Sequence, residues 1–402
     1  MNSLIQRWLY IDILIDWKDS EFIKIITGIR RSGKSTLFLL FQNYLKENGI
    51  KNEQIQTINF EDANFAHLLE WKALHDHIQS KLVLDKKNYI FLDEIQNVAD
   101  FQKAVNSLRL KKNVDLYLTG SNSHILSGEL TTLLAGRYVE IKMLPLSFKE
   151  YLCVYPFNKT IQDKYADYIH NSSFPASLEF IKEQQWNNDR IRLFLENIYN
   201  AVVLKDIVSR YNFKNIIRLE SIIKFMFDNI GNEISVKRIS DILKAEKISI
   251  QPRDVDTYID AMLTSFILYK TDRYDVRGKQ ILKTNAKYYV ADIGLRYYLL
   301  GKEGDEGHIL ENIVYLELLR RGYKVFIGKV DNAEVDFVAI KDGKIKYYQV
   351  AHSIENQDTL ARELKSLSAI HDHNQKFILT TNAGGQSFNG IEYINVFDWL
   401  IK

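Results

Sequence analysis

Gly28-Ile29-Arg30-Arg31-Ser32-Gly33-Lys34-Ser35 is the stretch that decides the fold, set between the apolar run FIKIIT (22–27) and the helical pattern KSTLFLLFQNYLKENG (34–49). It satisfies G-x-x-x-x-G-K-[ST] in the strand–loop–helix setting that this pattern requires. Glycines let the backbone curl so that successive N–H groups point at phosphate oxygens, reinforced by the dipole of the following helix. Lys34 is expected to reach the β- and γ-phosphates, and the Ser35 hydroxyl to take one Mg²⁺ position. Gly28, Ile29, Arg30, Arg31, Ser32, Gly33, Lys34, Ser35 and Thr36 are therefore candidate contacts to ATP.

Working outward, IQTINF (55–60), YIFLD (89–93), DLYLT (115–119) and YVEIKM (138–143) are short, nearly continuous apolar runs separated by helical patterns. Strands buried on both faces of a parallel sheet read this way, so the first 150 residues are expected to be α/β. The run ending Asp93-Glu94 places two acids at a strand's carboxyl end, beside the phosphate loop. Asp93 would hold Mg²⁺ and Glu94 would activate the attacking water, which favours hydrolysis over transfer to an acceptor. IQTINF, lying between the two motifs, points to the P-loop ATPases with an added central strand. Ser121 or Asn122, after the strand ending at Thr119, is placed to bond the γ-phosphate or the water. Arg137, ahead of the next strand, is a candidate arginine finger for a neighbouring subunit if the chain forms an oligomer.

Composition narrows the classes. The 402 residues are 46% apolar and 26% charged, with 53 basic against 51 acidic side chains, so the chain as a whole is no polycation made to coat nucleic acid or a membrane. One cysteine, Cys153, rules out a disulfide framework and a cysteine-based zinc site. No signal peptide or membrane span is expected, the default location is cytoplasmic, and no membrane partner is anticipated.

From about Ser147 to Leu300 helical patterns dominate. Ser235 as a cap before VKRISDIL, Pro252 opening RDVDTYIDAMLTSFIL, and a hairpin turning near Gly278 resemble a winged helix. Residues 214–300 carry 15 basic against 11 acidic side chains. Lys270, Arg273, Arg277, Lys279, Lys283 and Lys287, interleaved with tyrosines, make the wing at 269–289 a candidate DNA contact, although Asp254, Asp256 and Asp260 on the preceding helix oppose it. A protein partner is the other use of such a module. Beyond the Gly301–Gly307 hinge, a helix ending at Gly322, strands YKVFIG, EVDFVAI and KYYQVAH, helix DTLARELKSLSAIHD, and strands KFILTT and IEYINVF are expected.

The succession GIRRSGKST, FLDEIQ, LTGSN, AGRYVEIKMLPLSFKEYL, LKDIVSRY and KYYVADIGL resembles a group of bacterial and archaeal AAA-type ATPases whose C-terminal domain is uncharacterised. The resemblance implies that Lys34 and Ser35 bind nucleotide and Mg²⁺, that Asp93 and Glu94 form the Walker B pair, and that Asn122 is the sensor. Asn171-Ser172-Ser173-Phe174-Pro175 departs from the Gly-Gly-x-Pro turn of those relatives. Glu311, Asp336 and Gln349 resemble the acid positions of a restriction-endonuclease-like core, but Ala351 stands where its lysine belongs and Lys346 lies on the opposite strand face. The expected architecture is thus an ATPase core (1–150), a helical and winged-helix domain (151–300) and a degenerate nuclease-like domain (301–402). ATP hydrolysis would drive or gate a conformational change in the later modules. A slow nucleotide-gated switch in stress or defence signalling, or a DNA-processing ATPase with nuclease activity, is the alternative.

Overall fold

The five apolar runs of the first third pair as one parallel sheet, with strands β1 (Ile23–Thr27), β2 (Ile55–Asn59), β3 (Asn88–Asp93), β4 (Val114–Gly120) and β5 (Tyr138–Lys142). The computed structural model describes residues 4–402 other than 122, 127–133, 135, 183–187, 246, 247, 249, 303, 332 and 383. Strand order is β2-β3-β4-β1-β5, so β4 enters between the strand that feeds the phosphate loop and the strand that ends in Asp93. This is the added central strand anticipated from the sequence.

Alternation explains why each run is apolar throughout. Ile26, Tyr89, Phe91, Tyr117 and Ile141 face one layer, against Tyr10, Ile11 and Leu14 of α1 (Trp8–Asp16) and Leu37, Phe38 and Phe41 of α2 (Lys34–Glu47). Ile23, Ile25, Ile90, Leu92, Leu116 and Leu118 face the other, against Leu74 and Ile78 of α3 (Trp71–Ser80) and Ala104, Val105 and Leu108 of α4 (Phe101–Arg109). Phe91 stacks on Tyr117 at 4.7 Å between ring centroids, and Phe38 meets Phe91 edge-on at 5.0 Å. Each such side chain contributes about 1.5–3 kcal/mol on burial. At the amino ends of the strands one polar network is fully buried: the Lys24 ammonium contacts Asp115, which also accepts from the Tyr117 hydroxyl at 2.8 Å and the Asp19 amide at 2.9 Å. Burial pulls the Lys24 pKa down, and Asp115 opposes that shift.

The chain divides into two compact units, Met1–Pro145 with Thr264–Phe266, and Leu146–Leu263 with Ile267–Lys402. The second unit opens with α5 (Phe148–Val154), capped by Ser147 and Glu150 reciprocally, then α6 (Ile161–Asn171) and α7 (Pro175–Lys182). Helix α8 (Asn188–Asn200) runs on through a π-helical stretch, Ala201–Val208. Between α6 and α7, Ser172 takes φ 76°, ψ 148°, a backbone region that favours glycine. It is held there by Asp292, which accepts from the Ser173 amide and hydroxyl, both at 2.6 Å.

Next come α9 (Ile216–Asp228), β6 (Glu233–Ile234), α10 (Val236–Ala245), α11 (Pro252–Thr264), β7 (Leu268–Asp275) and β8 (Gln280–Val290). After α12 (Ile293–Leu300) and α13 (Glu306–Arg320), strands β9 (Lys324–Val330), β10 (Ala333–Lys341) and β11 (Lys344–Ala351) form an antiparallel meander. Helix α14 (Gln357–Ser368) crosses to β12 (Gln375–Thr380), parallel to β11, and β13 (Gln386–Phe388) and β14 (Ile391–Asn395) complete the edge. IEYINVF is not all strand: the Asn395 side chain caps Phe397 and Asp398, turning the chain into α15 (Val396–Ile401).

The boundary expected near 300 does not separate two sheets. β7 pairs in parallel with β9, Arg273 opposite Ile327, so strands from both sides form one nine-stranded sheet, β13-β14-β12-β11-β10-β9-β7-β8-β6. Among the described residues, no helix is long and apolar enough to cross a membrane.

Candidate functional site

The phosphate loop is shaped by three positive-φ residues: Gly28 (149°), Arg31 (65°) and Gly33 (102°). A Cβ on Gly28 would stand 2.1 Å from the Met143 carbonyl oxygen, so only glycine fits where the loop leaves β1. Helix α2 starts at Lys34 with no side-chain cap and no acid in its first turn, which leaves its N–H groups and dipole for an anion. Lys34 is buried, its ammonium donating to the carbonyls of Gly28 at 2.9 Å and Ile29 at 3.1 Å. The Ser32 hydroxyl is buried without a partner among the described residues. Arg7, also buried, donates to the Ser32 carbonyl at 3.0 Å and the Leu144 carbonyl at 2.7 Å, so α1 braces the loop from behind. Arg30 pairs with Glu61 at 3.0 Å, and Ser35 is exposed on the first turn.

Asp93 and Glu94 end β3 on the same edge of the sheet. In register, Leu92 lies opposite Leu118 and Ile26 opposite Thr119, so Asp93 is level with the end of β1, two strand spacings or about 10 Å away. Thr119 links the acids: its hydroxyl bonds Asp93 and accepts the Glu94 amide at 2.9 Å. Glu94 has φ 55°, and its carboxylate is held by the Gln96 side-chain amide. A cradle made for phosphate, an orphaned hydroxyl and an adjacent carboxylate pair are the donor set that a nucleotide with Mg²⁺ needs. Thr119, Gln96 and Arg7 were missed in the sequence. The signal for Thr119 was present, a lone hydroxyl in the same register as Asp93.

Of the expected catalytic residues, Arg137 does not join this group. Asn122 lies outside the described residues. Arg137 is exposed ahead of β5, its carbonyl accepting from the Ile23 amide at 3.1 Å. That is the amino end of the sheet, so Arg137 cannot reach its own phosphate loop.

A second group of charges lines a cavity of about 800 Å³ in the C-terminal sheet. Glu311 of α13 accepts from the Lys287 ammonium at 3.0 Å and from the Tyr289 hydroxyl at 2.6 Å. Lys287 also pairs with Glu334 at 2.7 Å. Asp336 accepts the Val350 amide at 2.8 Å, and Gln349 Oε1 accepts the Asp336 amide at 3.3 Å and the Ser366 hydroxyl at 3.2 Å. Glu311, Asp336 and Gln349 therefore line one cavity, which Lys287 enters from β8. Lys287 and Tyr289 are two apart on one strand, so both face Glu311. Burial lifts the Asp336 carboxyl well above the usual carboxylate range and Glu311 adds to it. Burial alone would lower the Lys287 pKa, but Glu311, Asp336 and Glu334 together hold it above the ordinary value. These residues do not suit a divalent cation: an ammonium already joins the acids, and among the described residues no three His, Cys, Asp or Glu side chains are placed to hold a metal.

The basic wing is corrected likewise. Lys270 pairs with Asp272 at 2.9 Å, Arg273 with Glu233 at 3.1 Å and Arg277 with Asp331 at 2.5 Å, while Lys287 is buried. Tyr274, Tyr288 and Tyr289 are buried too, so among the described side chains of hairpin 269–289 most of the basic and tyrosine residues are paired or buried.

Comparison with known proteins agrees with the first unit. An AAA domain family matches residues 20–152, and two domains of unknown function, DUF8612 and DUF4143, match 162–306 and 306–399. An uncharacterised Haemophilus influenzae protein is 40% identical over 410 residues, covering 100% of both chains. The uncharacterised Methanocaldococcus jannaschii protein MJ1544 is 30% identical over 359 residues, 86% of this chain and 77% of that one. Among solved structures, Aeropyrum pernix ORC1 in complex with DNA has a TM-score of 0.33 at 12% identity, covering 73% of this chain and 90% of that one. Pyrobaculum aerophilum Cdc6p has a TM-score of 0.30 at 10% identity, covering 75% and 97%.

Proposed function

We propose, from the premise that this chain belongs to one family with its uncharacterised Haemophilus influenzae relative and carries an AAA domain over residues 20–152, that it is a Mg²⁺-dependent ATPase. The observation that carries the reading is the cradle at 28–35 level with the Asp93–Thr119–Glu94 group on one sheet edge. Loop amides and Lys34 bind the phosphates; Ser35 and Asp93 hold Mg²⁺, which neutralises charge on the phosphates when bound; Glu94 takes the proton of the attacking water. Arg137, if catalytic, acts on a neighbouring protomer's nucleotide. Glu94→Gln should keep ATP binding and lose phosphate release; wild-type turnover in that variant would refute the assignment.

The order α9–β6–α10–α11–β7–β8, with β8 between β6 and β7, supports a winged-helix module, and α13 through β12 supports a nuclease-like fold. With its acids neutralised by Lys287, the latter serves as a partner surface rather than a nuclease. Hydrolysis in the first unit gates a conformational change passed to this second one. The hold of Gln96 on Glu94 favours slow basal turnover, as in a nucleotide-gated switch; steady-state phosphate release separates switch from motor.

A further inference from the structure

The amino end of the parallel sheet, opposite the phosphate loop, carries a surface that nucleotide chemistry does not use. Two neighbouring loops meet there, 81–87 ahead of β3 and 110–113 ahead of β4. Each lifts one leucine into water: Leu84 is 81% exposed and Leu110 70%. Around them stand Lys81, Lys86, Lys87, Arg109, Lys111 and Lys112. Opposing charge is present but outnumbered: the Asp19 carboxylate attracts Lys87 and is also engaged by Lys18 and the Tyr89 hydroxyl. Asp85 lies within the first loop, Glu53 pairs with Lys86 at 3.2 Å, Glu21 borders the shallow groove between Lys87 and Lys111, and Asp115 is engaged by Lys24.

The loops are held in this form. Asn88, wholly buried, accepts the Val83 amide at 2.9 Å and donates to the carbonyls of Val83 at 3.0 Å and Lys86 at 2.9 Å. Its own amide donates to the Asn113 carbonyl at 2.7 Å, and the Lys87 ammonium reaches the Lys112 carbonyl at 3.1 Å. The clasp keeps the leucines from folding back into the core. Arg109 Nε is buried with no partner among the described residues.

Cations at helix C-termini are ordinary, and that accounts for Lys81 and Arg109 at the ends of α3 and α4. It does not account for Lys86, Lys87, Lys111 and Lys112, or for two prominent leucines. A nucleic acid would use the lysines and leave the leucines in water. We propose that this end of the sheet docks on an anionic lipid surface, the leucines entering the headgroup–acyl boundary while the lysines meet phosphates. Strands of five to seven residues separate this face from the nucleotide loop, about 17–23 Å, so docking leaves that loop open. A total charge of +2 hides such a patch, because it is a property of the whole chain rather than of one end.

The test is co-sedimentation of the full chain with vesicles of phosphatidylcholine, with or without phosphatidylglycerol. Expected are binding only to the anionic vesicles, its loss in Leu84→Asp with Leu110→Asp, and about 25-fold weaker partitioning in Lys86→Gln with Lys111→Gln, from about fivefold per lysine. Unchanged circular dichroism and melting show that the variants fold, as exposed positions should. Equal binding to neutral vesicles, no binding to anionic ones, binding of duplex DNA instead, or undiminished binding by the leucine variant would each overturn the proposal.

Discussion

Lys287→Met probes the most heavily charged interior of the protein. The ammonium is 5% exposed and lies 3.0 Å from Glu311, itself 6% exposed. Removing it leaves the Glu311 carboxylate with the Tyr289 hydroxyl at 2.6 Å and no cation. Breaking a buried pair from one side costs about 3–5 kcal/mol. The Glu334 side chain is a third exposed, so loss of that contact adds little. For a unit of this size, the cost corresponds to a fall in Tm of about 6–20 °C. The pH dependence has a definite sign. Because the folded pKa of Lys287 is raised, its contribution is complete at neutral pH and is lost only as pH climbs through that raised value. Thermal melts followed by circular dichroism measure both. In Lys287→Met with Glu311→Gln, the two losses should fail to add by about 0.5–3 kcal/mol. A loss below about 1 kcal/mol at neutral pH, or strict additivity, would show that the ammonium does not balance this carboxylate.

Thr119→Val removes the hydroxyl that joins Asp93 to the Glu94 amide, and should lower ATP turnover about 10–100-fold; unchanged phosphate release would count against that role. Gly28→Ala sets a methyl against the Met143 carbonyl, so about 1–3 kcal/mol of stability and the binding of a fluorescent ATP analogue should both be lost, and normal titration would contradict the cradle geometry. Asp336→Asn should make the protein more stable at neutral and alkaline pH. The raised folded pKa means that the wild type loses stability as pH rises through it, with burial first and then Glu311 and Glu363 disfavouring the charge and Lys287 attracting it; parallel Tm–pH curves would sink the assignment.

The ATPase half was legible because its signals are local. A glycine-spaced loop between a strand and a helix, and acids at a strand end, describe their own surroundings. What escaped were contacts made across strands. Thr119 matters only once β4 lies between β1 and β3, and Arg7 only once α1 packs behind the loop. The basic wing misled for the same reason: Lys270, Arg273, Arg277 and Lys287 read as a charged face until Asp272, Glu233, Asp331 and Glu311 fold beside them. Gln349 and Ala351 read as departures from a nuclease pattern, but the cation that meets Glu311 lies 62 residues upstream of Gln349, on a strand assigned to another domain.

The parallel pairing of β7 with β9 bears on how the protein can be dissected. A truncation at residue 300 would strip β7 of its neighbour and leave a row of bare peptide groups ready to zip onto another chain. The complementary fragment would keep Glu311 and Asp336 but forfeit the ammonium that reconciles them. Sequence families may be drawn on either side of residue 306, but folding treats the hairpin and the terminal sheet as a single object, inherited or lost together.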